Sequence, residues 1–150
     1  MTEISIHSDR WYDVIDDPEK FVKNIINVFL ERLKIANYQP IISILMADDS
    51  VLHKLNLEHR GQDKPTNVLS FSYEKLSQGC FLGDIAISVD RVIAESVEYE
   101  ISILSHTAYL ILHGLLHLLD YDHEQEDEEI KMQNLEEEIM AKLDIKKVLM

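Results

Sequence analysis

The chain has 150 residues, 46% of them hydrophobic, with 28 acidic against 14 basic side chains and a formal net charge of −14. That length and apolar content suit one globular domain and exclude a disordered chain, and the acidity weighs against a generic DNA or RNA binder, whose grip comes from Lys and Arg on phosphates. No apolar run is long and charge-free enough to span a bilayer, Met1–His7 lacks a signal peptide's regions, and the single Cys80 excludes an intramolecular disulfide, so a cytoplasmic protein is expected.

In chain order, Ile4–Ile6 alternates as a short strand. Trp11 and Tyr12 fall in a connector and read as packing residues. Asp17 caps a helix that Pro18 opens, with the apolar stripe Phe21, Ile25, Val28, Phe29 and Leu33, continuing to about Ala36. Ile41–Met46 reads as a buried strand. Asp48-Asp49-Ser50 caps the next helix, which Gly61 stops. A polar loop (62–67) leads to the strand Val68–Ser72. After a turn-rich connector comes the strand Phe81–Ser88, where Gly83 marks a bulge or a close backbone approach. Helices follow at about Val89–Glu98, Ile103–Leu119 and Glu126–Leu143. This order implies an α/β (α+β-like) fold: a single domain over residues 1–150, with a small mixed four-stranded sheet covered by about five helices. The acidic runs from Glu124 to Glu129 and at Glu136-Glu137-Glu138 read as a solvated helix face.

The stretch His113-Gly114-Leu115-Leu116-His117-Leu118-Leu119-Asp120-Tyr121-Asp122-His123 carries the chemistry. His113 and His117, four apart on an apolar helix, share one face and can aim at one point. Neutral imidazole is a common zinc ligand. His123 completes a set of three if the chain reverses after Leu119. Asp120 stands at that reversal, and Asp tolerates the left-handed conformation better than most residues. The spacing matches a zinc-protease ligand pattern, but Gly114 stands where such enzymes carry their general-base glutamate. His106 reads as a helix-surface or packing residue, because two turns carry it about 10 Å from the pair. His53 and His59 read as surface residues. Lys54, Arg60 and Lys64 give the segment around the polar loop a local basic excess, and the fork of Arg60 suits a phosphate.

Three blocks together resemble the YbeY family of bacterial metal-dependent endoribonucleases, also described as rRNA maturation factors. They are Leu55-Asn56…Arg60…Pro65-Thr66-Asn67-Val68-Leu69-Ser70-Phe71, then Leu82–Ser88, then His113–His123. The resemblance covers roughly residues 40–125. It implies a single-strand-specific endoribonuclease acting at the 3′ end of 16S ribosomal RNA precursor and in ribosome quality control. It also implies one zinc ion per chain held by His113, His117 and His123. Arg60 would hold substrate phosphate, with Ser70, Phe71 and the Leu82–Ser88 strand as the cleft wall. The implied partners are precursor ribosomal RNA, the small ribosomal subunit and its assembly factors, with no membrane and no DNA. Three positions depart from the family pattern: Asn67 for Asp, Ser72 for Pro and Asp120 for Gly.

A three-histidine site leaves one position for water or a phosphate oxygen. No side chain stands out as a general base, so water or the ribose 2′-OH could attack. Two other readings stay open at this level. One is a zinc peptidase, against which Gly114 argues. The other is a non-catalytic ribosome-assembly factor with a structural metal, closed by a fourth ligand from Asp122, Glu124 or His106.

Overall fold

The computed structural model describes residues 2–120 and 126–145. The chain runs β1 (Thr2–Ile6), α1 (Arg10–Val14), α2 (Pro18–Arg32), a 3-10 turn (Ala36–Tyr38), β2 (Ile41–Ala47), α3 (Asp49–Arg60), β3 (Val68–Ser72), β4 (Phe81–Ser88), α4 (Val89–Tyr99), α5 (Ile103–Leu118) and α6 (Glu126–Leu143). The strands form one sheet in the order β1-β2-β4-β3. β1, β2 and β4 are parallel, and β3 pairs antiparallel with β4 at the edge. The parallel β1–β2 pair needs a crossover connection, which α2 provides. The sheet is therefore mixed and four-stranded, as expected.

The helix starts follow side-chain chemistry. Asp17 accepts from Lys20 N, Asp48 from Val51 N, Ser88 from Arg91 N and Ser102 from Ser105 N, each satisfying a first-turn amide. Gly61, at φ +67°, ends α3 and donates to Leu57 O.

The two faces of the sheet are apolar in alternation. Ile42, Ile44, Met46, Leu82, Ile85 and Ile87 are buried with Val22, Ile25, Ile26 and Phe29 of α2 and with Ile111, Leu112 and Leu115 of α5. On the other face Ala47, Leu69 and Ala86 meet Leu52 of α3, with Leu45, Leu55 and Phe71 packed around them. Most of α5 is buried, from Ser105 to Leu118. It lies against both β3 and β4. That placement puts the histidine helix beside an edge strand.

Two local features depart from the sequence expectation. The segment Arg10–Val14 is a short helix and not a connector, which makes six α-helices among the described residues. It is too short for periodicity to reveal, and a tertiary contact holds it: Trp11 is fully buried and its Nε1 donates to Ala47 O at 3.0 Å. α2 stops at Arg32 and not near Ala36, because Lys34 turns left-handed (φ 60°). The resulting reversal lets Ile35 N donate to Leu30 O at 3.0 Å. At Gly83 both anticipated features occur. The β2–β4 register shifts there, and an added Cβ would sit 2.3 Å from Phe71 O.

Candidate active site

His113 and His117 lie one turn apart near the end of α5. Their Nε2 atoms face each other at 3.0 Å, with ring planes at 82°. The outer nitrogen of each ring thus converges on one point, as the four-residue spacing implies. The inner nitrogen of His113, Nδ1, turns the other way and meets Glu136 Oε1 at 3.2 Å. α5 ends as anticipated. Leu119 N donates to Leu116 O, Asp120 N donates to His117 O, and Asp120 is left-handed at φ 67°. His123, with Tyr121 and Asp122, lies outside the described residues, and among those described no group of three or more metal-binding side chains converges.

The paired imidazoles border a cleft of about 560 Å³ between α5 and the edge strand β3, lined also by Arg60, Asn67, Val68, Ser70, Ser72 and Tyr109. Ser70 faces the helix and its Oγ donates to Gly114 O at 3.3 Å. The close packing favours glycine at 114: a Cβ there would come within 2.9 Å of Ser70 Oγ and 3.2 Å of Ile85, so any larger residue requires those two side chains to give way. Neighbouring strand residues point to opposite faces, so Phe71 turns away from the cleft. It packs under α3, its ring 5.0 Å from that of His59. β4 supplies none of the residues lining this cleft. Ser70 therefore lines the cleft as expected, together with Val68 and Ser72, whereas Phe71 and the β4 strand do not.

Arg60 arrives from the other side of the sheet. It is the last residue of α3, which covers the face opposite α5, yet it borders the same cleft. Its Nη2 approaches Ser70 O at 3.5 Å, a long and weak contact for an exposed guanidinium. Asn56 pins the intervening loop, its Nδ2 donating to Lys64 O at 3.0 Å.

The acidic run on α6 requires a correction. Glu136 is buried and not part of a solvated face. Met132, Leu135 and Ile139 are buried with it, so Glu136 occupies the i+4 place in an i, i+3, i+4, i+7 stripe. That periodic position, read against its charge, was the available sequence clue. Its carboxylate accepts from the Tyr109 hydroxyl, and the burial of the phenol followed by the nearby Glu136 charge raises the Tyr109 pKa above its ordinary value.

His106 is a buried packing residue, not a member of the histidine cluster. Its Nε2 meets Glu95 Oε1 at 2.8 Å. Asn67 Nδ2 donates to the same oxygen at 3.0 Å, and Asn67 Oδ1 accepts from Val68 N at 2.7 Å. An aspartate at position 67 could keep the second bond but has no donor for Glu95, which accounts for the amide here. His53 pairs with exposed Asp63 at 2.6 Å, outside the cleft.

The profile of the family described as "Endoribonuclease YbeY" matches residues 4–144. Endoribonuclease YbeY of Wolbachia pipientis subsp. Culex pipiens is 58% identical over 147 residues, covering 98% of this chain and 97% of that protein. Endoribonuclease YbeY of Ehrlichia canis is 49% identical over 146 residues, covering 97% and 95%. Among solved structures, the solution structure of TM1509 from Thermotoga maritima matches with a TM-score of 0.63 at 22% identity, over 95% of this chain and 91% of that one. That likeness bears on the fold alone.

Proposed function

We infer RNA cleavage from two facts: this chain belongs to the YbeY endoribonuclease family, and its cleft pairs two converging imidazoles with an arginine on the facing wall. The activity is endonucleolytic cutting of single-stranded RNA. The resemblance supports the 3′ end of 16S ribosomal RNA precursor as substrate, with a part in ribosome quality control. The setting is the cytoplasm, and no helix among the described residues is long and apolar enough to cross a membrane.

The observation that carries the metal reading is the 3.0 Å separation of the His113 and His117 Nε2 atoms. Two nitrogens bound tetrahedrally to zinc at the usual distance stand about 3.3 Å apart. The pair fits with an adjustment of a few tenths of an ångström. His113, His117 and His123 would hold one zinc ion. When bound, it supplies Lewis acidity toward a phosphoryl oxygen or a water.

The chain's own residues do the rest. Arg60 carries a fixed positive charge to the opposite wall, where it neutralises charge growing on the phosphoryl oxygens. β3 and α5 bound the strand of RNA between them. No carboxylate stands in the general-base place, which Gly114 occupies with the Ser70 and Ile85 side chains packed close against it. This packing is why the peptidase reading is not adopted. At a net charge of −14 the protein attracts naked RNA poorly, so selectivity comes in part from the small ribosomal subunit or an assembly partner.

The test is metal content and RNA cleavage measured together on the wild type and on His117→Ala. About one zinc per chain in the wild type, lost with cleavage in the variant, is the expected result. Retained metal with unchanged cleavage overturns the assignment. A 2′,3′-cyclic phosphate on the wild-type product identifies the ribose 2′-OH as nucleophile, whereas 3′-hydroxyl and 5′-phosphate termini identify water.

A further inference from the structure

We propose that Glu136 is a positioning residue for the candidate metal centre, holding His113 in the one tautomer and ring orientation that can bind a metal. The inference rests on the metal-centre reading above and extends it to a residue of α6.

The argument is one of donors and acceptors. Glu136 is buried, and a buried carboxylate is costly unless hydrogen bonds compensate it. Two groups from α5 face it: the Tyr109 hydroxyl, and His113 Nδ1 at 3.2 Å. A carboxylate only accepts. The proton of neutral His113 must therefore sit on Nδ1, which leaves the lone pair on Nε2. Nε2 is the atom that faces His117 Nε2 at 3.0 Å. The opposite tautomer would set the Nδ1 lone pair against the carboxylate and put a proton into the point of convergence. Glu136 thus does two things at once. It selects the competent tautomer, and it makes the ligand nitrogen more electron-rich, as carboxylates behind metal-bound histidines do. Tyr109, one turn before His113, shares the same carboxylate and keeps it from turning aside.

The experiment compares wild type, His117→Ala, Glu136→Gln and Glu136→Ala, each checked for fold by far-UV circular dichroism. Zinc affinity is read by competition with a chromophoric chelator, and the His113 tautomer by nitrogen-15 NMR of the metal-free protein. Glu136→Ala is expected to bind zinc about 10- to 100-fold more weakly. Glu136→Gln, whose Oε1 still accepts, recovers part of that loss. The NMR spectrum of the wild type is expected to show the proton on Nδ1 of His113, with the preference lost in Glu136→Ala. A folded Glu136→Ala protein with wild-type zinc affinity overturns the proposal. So does a wild-type spectrum with the proton on Nε2, a result that needs no variant to fold. If instead wild type and His117→Ala bind zinc equally, the metal-centre reading itself has failed. Tight wild-type binding that His117→Ala abolishes and Glu136→Ala leaves intact overturns this inference alone.

Discussion

Two histidines on α5, seven residues apart, each meet a glutamate from a neighbouring helix, and the two pairs differ in every respect that matters to chemistry. His106 meets Glu95 of α4 through Nε2, and His113 meets Glu136 of α6 through Nδ1. In the first pair the histidine is the more buried partner, its side chain 5% exposed against 19% for the glutamate; in the second the glutamate is the more buried, 5% against 20%. The outer nitrogen of His106 is consumed by its carboxylate, and Asn67 locks that carboxylate from behind. The outer nitrogen of His113 is left to face His117 and the cleft. The same two residue types therefore build a structural tie in one place and a candidate ligand in the other. What separates them is which ring nitrogen the carboxylate engages.

The comparison predicts unequal outcomes elsewhere in the cleft. The largest effect is expected at its far wall. Arg60→Ala should lower RNA cleavage about 100- to 1000-fold, the scale for losing one group that stabilises transition-state charge. Its zinc content should match the wild type, because Arg60 faces the histidines without belonging to them. Single-turnover cleavage alongside metal analysis checks both halves, and a loss of zinc in this variant would break the division between the two walls.

The tie at His106 should report on stability and not on chemistry. His106→Ala removes one of the two groups that hold the Glu95 carboxylate, leaving Asn67 in place, and is expected to destabilise the fold by about 1.5–3 kcal/mol, the scale of a lost hydrogen bond to a charged group. Denaturant unfolding measures it. At a temperature where the variant remains folded, zinc binding should be unchanged. Weakened zinc binding in a fully folded His106→Ala protein would mean that the two pairs are not separate devices.

The smallest expected effect lies at the turn that follows His117. Asp120 is left-handed at φ 67° and is not a glycine. Asp120→Gly should stabilise the chain by up to about 1 kcal/mol, the scale of the left-handed penalty it removes. A rise in the unfolding midpoint with unchanged denaturant dependence is the expected observation. A fall would show that the aspartate side chain holds the turn, and that its backbone angle imposes no strain.

How much of this was legible beforehand depended on sequence distance. The α5 helix, its His113–His117 pair, the left-handed stop at Asp120 and the bulge at Gly83 were all readable, because each is decided within a few residues by helical period or backbone sterics. The mixed four-stranded sheet followed from the order of apolar segments. The short α1 helix was not readable, because the burial of Trp11 against a strand 36 residues away holds it. Nor was the role of Glu136, a charge inside an apolar stripe, whose meaning appears only when α6 docks on α5.

The sequence by itself thus determined the candidate histidine pair and the local shapes that present it. The tertiary structure alone decided what they face. Ser70 reaches Gly114 across 44 residues, His113 reaches Glu136 across 23, and Arg60 enters the cleft from the opposite side of the sheet. Periodicity reaches only one or two turns along the chain, whereas these contacts are set by how whole elements bury their apolar faces against one another.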